Sequence, residues 1–195
     1  MRDAATCAPD QRSVEPLFRR TQDTAAAGGW SDWAMIDPGG CVVDVDLRAA
    51  IAQELQRLPL TPSALSVEPP SGWTLVNADT VVFTDDSAQV LDTTVVGIAV
   101  RIRATPTTFA WDFGDGSQPL RTTDPGHPWP DHTVAHRYST EGTRQISLTT
   151  TWSAQFQVAG TTGWERVDGT ATTTSTSQPL TVHEARAHLV AEPTT

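Results

Sequence analysis

Phe109-Ala110-Trp111-Asp112-Phe113-Gly114-Asp115-Gly116 is the stretch on which the reading of this chain turns. Its aromatic residues fall at every second position, and in an extended strand successive side chains point to opposite faces. Phe109, Trp111 and Phe113 therefore share one face and can fill the space between two sheets, with Trp111 expected at the centre. Asp112 faces the other way, and Asp115 stands between Gly114 and Gly116, where the backbone has to turn. A carboxylate there accepts hydrogen bonds from turn N–H groups and keeps the loop closed. Further on comes His136-Arg137-Tyr138-Ser139-Thr140-Glu141-Gly142. His136 and Tyr138 share a strand face and are expected to pack on that turn, with ring nitrogen or hydroxyl bonded to it, while Gly142 meets a backbone requirement in a tight connection.

Outward from this core, β-branched or alternating runs occupy 80–84, 89–96, 98–104, 107–113, 133–138, 145–156, 170–176 and 180–182, separated by Gly, Asp and Pro. Ile98, Val100 and Ile102 alternate with Ala99, Arg101 and Arg103, the pattern of an antiparallel sheet with one dry face. Gly97 between two runs predicts a hairpin or a bulge. The N-terminal part reads differently. Leu47, Ile51, Leu55 and Leu58 predict one short amphipathic helix, with Asp46 as N-cap and Pro59 as terminator. Residues 14–20 offer a further helical turn or two, and 25–29 and 37–40 are loop signals. The expected organisation is an N-terminal segment over 1–58, a Pro-rich connector over 59–72, an antiparallel β-sandwich over 73–184 and a flexible tail over 185–195.

The two motifs, in this order, resemble the PKD (polycystic kidney disease) domain family, whose hallmark is Trp-Asp-Phe-Gly-Asp-Gly followed by His-x-Tyr-x-x-x-Gly. The resemblance covers roughly 73–182. It implies a mainly β, immunoglobulin-like sandwich in which Trp111, Asp112, Phe113, Gly114, Asp115, Gly116, His136, Tyr138 and Gly142 are marks of the fold. Where the family places an aromatic after the glycine, this chain has Arg144. The segment 117–135 is longer than the usual connection, and an extra hairpin is expected around 159–163.

Composition narrows the function. The net charge is −10 and the pI about 4.7, with no clustered cations, which disfavours nucleic acid and anionic membrane as partners. All 13 basic residues are arginine, so no Schiff-base lysine exists. No apolar run is long enough to span a membrane. The opening, Met1 to Cys7, lacks the apolar stretch of a signal peptide, yet abundant threonine, absent lysine and two cysteines suggest export; a leader ahead of the given start is the expected reconciliation.

Cys7 and Cys41 lack the spacing of a zinc knuckle. In an oxidising compartment they are expected to pair, closing a loop that contributes about 3 to 4 kcal/mol in the chain-entropy model; in a cytosolic protein they would be two small unpaired apolar residues. Asp112, Asp115, Asp124, His127, Asp131, His132 and His136 invite an acid–base or metal reading. Prolines 128 and 130 forbid the helix a zincin needs, and no Gly-x-Ser-x-Gly elbow occurs. The acidic pairs Asp85-Asp86 and Asp44-x-Asp46 offer carboxylates to calcium without the remaining EF-hand ligands, and some PKD-like modules bind that ion. Trp129, between prolines, and Trp164, beside a glycine turn, are the candidate ligand-binding residues; Trp152 continues a core alternation. The function expected is a non-catalytic structural or interaction module, secreted or at the cell surface, with a protein or polysaccharide partner. The alternative is a carbohydrate- or cell-wall-binding module using the loop tryptophans, with calcium as a possible aid.

Overall fold

The computed structural model describes residues 11–22, 29–43 and 46–186. The chain divides into two compact units, Met1–Asp46 and Leu47–Thr195.

In the first unit β1 (Gln11–Val14) pairs with β4 (Gly40–Val43), and β2 (Leu17–Arg19) with β3 (Ala34–Asp37), all antiparallel. A bridge between Gln22 and Trp30 extends the ladder, so that 11–22 and 30–43 form one long ribbon. This corrects the helical reading of 14–20. Pro16 cannot donate to a helical ladder, and the apolar spacing of Val14, Leu17 and Phe18 suits either element until a partner strand is known. The Arg20 guanidinium lies over both Trp30, at 4.5 Å, and Trp33, at 4.9 Å. Cys41 lies on β4, whereas Cys7, and with it the expected Cys7–Cys41 pairing, falls outside the described residues.

The second unit opens with α1 (Leu47–Leu55), directly after Asp46, and buries Ile51 and Leu55 on one face. The helix joins a core with sheet residues Ile102, Trp152 and Phe156, so it belongs to the β-domain and not to the segment before it. The strands that follow are β5 (Ser66–Glu68), β6 (Trp73–Leu75), β7 (Asp79–Phe83), β8 (Gln89–Val95), β9 (Ile98–Asp112), β10 (Leu120–Thr122), β11 (Ala135–Arg137), β12 (Gly142–Arg144), β13 (Ser147–Val158), β14 (Glu165–Arg166), β15 (Ala171–Thr176) and β16 (Leu180–His183). Part of the expected connector is therefore structural: β5 pairs with β7, and Leu60 and Ser63 are buried. Of the tail, only 185 and 186 lie among the described residues.

The larger sheet is built on β9 and β13, which pair along nearly their whole length. β8 and β10 share the free edge of β9, and β14 and β15 that of β13. The smaller layer comprises β11-β7-β5 and β12-β16-β6, the last pair parallel. Between β8 and β9 lies a two-residue turn in which Val96 and Gly97 both have positive φ, 51° and 78°. Glycine adopts that geometry freely and a β-branched residue does not.

The runs 98–104 and 107–113 are one strand. Trp152 faces Pro106 and Thr151 faces Thr108, so Thr107 is an extra residue, a β-bulge, with its hydroxyl donating to the Thr151 carbonyl at 3.1 Å. The bulge changes the parity of β9 from even (Val100, Ile102, Ala104) to odd (Phe109, Trp111, Phe113) while both sets stay on one face. On β13 the buried residues Leu148, Thr150, Trp152, Ala154 and Phe156 keep one parity throughout. A single apolar face thus runs the length of the sheet. The smaller layer covers its Trp111 end and α1 its Ile102 end, giving two cores on two shared strands.

Candidate functional site

The described geometry offers three places for function: the Asp115 turn, the Trp129 loop and the surroundings of Trp164.

At the turn after β9, Trp111 is fully buried and Phe113 nearly so. Asp112 Oδ1 accepts the Gly114 N–H at 2.9 Å, and Asp115 Oδ1 accepts the Ser117 N–H at 3.0 Å. Gly114 has φ 69°, and a Cβ there would stand 2.5 Å from the Gln145 carbonyl oxygen, so this position admits only glycine. His136 on β11 brings Nε2 to 2.7 Å from Asp115 Oδ2, stacks on Phe113 with ring centroids 4.1 Å apart, and meets the Tyr138 ring edge-on. The Tyr138 hydroxyl donates to the Phe113 carbonyl at 3.0 Å in a fully buried position. Burial pushes the Asp115 carboxyl upward, but hydrogen bonds from Ser117 and the His136 partner outweigh it and hold the group down, at about 2. Burial, reinforced by the charge of Asp115, pushes the Tyr138 hydroxyl up to about 12. Asp115 and His136 side chains are only 18% and 20% exposed, and each is engaged by the other and by the turn. Gly142 opens β12, with Arg144 at its end donating to Thr140 Oγ1.

Trp129 is 67% exposed. Its backbone N–H donates to Glu68 Oε2 at 2.9 Å, and its ring stacks on His132 with centroids 5.2 Å apart. It forms one wall of a groove of about 380 Å3 whose other residues are Glu68, Pro69, Pro70, Asp79 and Val81. Asp79 is held by Arg137 at 2.6 Å. Trp164 is half-buried, and the Arg103 guanidinium covers its ring at 4.1 Å. The two candidate tryptophans are therefore unlike: Trp129 presents an open platform, and Trp164 supports a cation. Sequence reasoning singled out both rings but not Glu68 or Arg103. Those partners come from distant strands, and the sequence carries no local sign of either contact.

The acidic and histidine residues of 112–136 do not gather at one point. Asp124 accepts from Gly126, His132 is spent on Trp129, and His136 on the Asp115 turn. Among the described residues no three His, Cys, Asp or Glu side chains converge as metal ligands. In the Asp85-Asp86 pair, Asp85 closes its own turn on Ser87.

Two layers of mainly antiparallel strands, an aromatic strand at the centre and a turn locked by Asp115, His136 and Tyr138 define an immunoglobulin-like β-sandwich module. Its sequence matches the PKD domain family over residues 65–155, consistent with a PKD-domain protein. The match begins ahead of the expected 73 because β5 is part of the sandwich. PKD domains are generally non-catalytic and typically extracellular. No curated protein matches the chain. No helix among the described residues is long and apolar enough to cross a membrane.

Proposed function

We propose that the chain is a non-catalytic, exported structural or interaction module that serves as a spacer or docking piece for a protein at the cell surface. The observation that carries this reading is the state of the Asp115–His136 pair. Its two groups have the composition of an acid–base dyad, yet they are bonded to each other and to the turn, with little surface left for a substrate. A general base has to reach the proton it removes, and this one is engaged in holding β9 to β11. Export goes with a Cys7–Cys41 disulfide. The denatured, unreduced protein is expected to show no titratable thiol, and two thiols would remove that support.

The test of the main reading sets thermal unfolding of Asp115→Asn and His136→Gln beside a broad hydrolase screen of the parent. Asp115→Asn keeps the shape and one acceptor, so it is expected to lower stability by about 1 to 2 kcal/mol, as a charge-assisted bond becomes a neutral one. Variants that melt like the parent while a parent activity disappears would replace the module by an enzyme.

A second reading, a carbohydrate- or cell-wall-binding module, is favoured at one point by the Trp129 groove. An exposed indole fixed by its backbone and by His132, with the carboxylates of Glu68 and Asp79 beside it, suits the apolar face and the hydroxyls of a sugar ring. Retention on cell-wall polysaccharide, run with and without calcium because the acidic loops offer carboxylates, and abolished by Trp129→Ala, would support it.

A further inference from the structure

The outer face of the larger sheet, opposite the two cores, carries a groove of about 620 Å3 between β9, β13 and the loop after β14. Its floor is set by register. Gln155 on β13 faces Arg103 on β9 across one edge and Arg166 on β14 across the other. Directly paired residues project to the same side of a sheet, so Arg103, Gln155 and Arg166 form a row, with the arginines two strand spacings apart, about 10 Å. The alternation of β14 sends Glu165 to the opposite face, where it pairs with Arg48 of α1, and leaves Arg166 over the groove.

Both guanidinium groups are uncommitted. Arg48, Arg101 and Arg137 are neutralised by Glu165, Asp92 and Asp79. Among the described residues Arg103 and Arg166 enter no ion pair, although the chain as a whole carries net charge −10. The Arg103 guanidinium sits over the Trp164 ring with its carbon 4.1 Å from the centroid, a contact that positions the group while leaving N–H donors for an acid group. Asp168 on the rim is the one carboxylate in the lining, so two cations outweigh one anion. Around the row stand Thr105, Thr107 and Ser153, hydroxyls that serve as both donors and acceptors.

We propose that this groove binds an acid-bearing polysaccharide, with Arg103 and Arg166 each holding an acid group along the chain and Gln155 and the surrounding hydroxyls bonding the sugars between them. A polysaccharide fits better than an acidic peptide on two counts. The groove lies on a sheet face and not at an edge, so strand addition is unavailable. Its walls are small polar side chains, without the deep apolar pocket that a peptide anchor fills.

The experiment is titration calorimetry of the full chain with polygalacturonate, dextran sulfate, neutral dextran and polyglutamate, at low and high salt. Arg103→Gln and Arg166→Gln are compared with the parent, and Arg121→Gln serves as a control outside the groove. Binding of polygalacturonate that weakens with salt, falls about tenfold or more in either groove variant and is unchanged in the control supports the proposal. The same behaviour with dextran sulfate alone also supports it and identifies the acid as sulfate. Binding of neither acidic polysaccharide, binding unchanged in both groove variants, or equal binding of polyglutamate overturns it. Melting curves are expected to match the parent, and Arg103→Lys, which keeps the charge and loses the planar fork, is expected to bind between parent and Arg103→Gln. If a glutamine variant melts low, a lysine variant indistinguishable from the parent overturns the assigned guanidinium contact.

Discussion

At the residue scale, the locked turn makes two titrations into reports on the fold. The Asp115 carboxyl is depressed from its ordinary 3.8 to about 2, so the ionised form is favoured in the folded chain. Its contribution is complete above the unfolded value and is lost as pH falls through 3.8 toward about 2. Acid unfolding of the parent is expected to steepen in that window, and Asp115→Asn is expected to flatten it; identical acid profiles would refute the assignment. Tyr138 behaves with the opposite sign. Its neutral form is favoured, so its contribution is present below the ordinary 10.0 and is lost as pH rises toward about 12. Because the chain has one tyrosine, its ultraviolet absorbance titrates that single hydroxyl, and the expected midpoint is near 12 while the fold lasts. A midpoint at the ordinary value would mean that the hydroxyl is not bonded to Phe113 in a dry site. The parts of this corner that a sequence displays are those set by alternation and turn chemistry: the shared face of Phe109, Trp111 and Phe113, and the glycines around Asp115. The packing of His136 and Tyr138 on the turn was expected from their shared strand face, whereas the choice of Phe113 as the ring on which His136 stacks was not, because alternation fixes a face and not a partner.

At the scale of elements, the informative position is Thr107. Apolar residues stand at even numbers up to Ala104 and at odd numbers from Phe109, and a strand of strict period two cannot place both sets on one face. The sequence reading has 98–104 and 107–113 as separate runs; the chain joins them in one strand with a bulge. An unusual outcome of deletion follows. Removing Thr107 leaves Pro106 and Thr108 as regular neighbours and keeps Ile102 and Trp111 on the same side, so the cost is expected to be about 1 kcal/mol, a hydrogen bond's worth. Removing Ala110 turns one aromatic set outward and is expected to cost about 3 to 5 kcal/mol, as for loss of a core aromatic. Comparison of the two deletions by chemical unfolding checks this, and equal losses would argue against the bulge. The ribbon of the first unit shows the converse limit. Val14, Leu17 and Phe18 match a helical face as well as a strand, and only the pairing with 30–43 decides. The helix α1 was legible from its spacing, but the sheet it covers was not.

At the scale of the whole molecule, the sandwich and its helix-covered extension are one body, because β9 and β13 run through both cores. The family match ends at 155, one residue short of Phe156, and leaves out α1, β15 and β16. Those excluded parts supply Ile51 and Leu55 to one core and Leu180 and Val182 to the other. A fragment excised at 65 and 155 would consequently carry β9 in full with its cover stripped off. Ile102, Trp152 and Ala154 would face water from a sheet that had also lost the neighbour β15 along β13, which combines an exposed apolar strip with an unpaired edge and makes a template for aggregation. The smallest soluble piece of this protein is thus set by the reach of one long strand, and it has to start no later than Leu47 and extend past Val182.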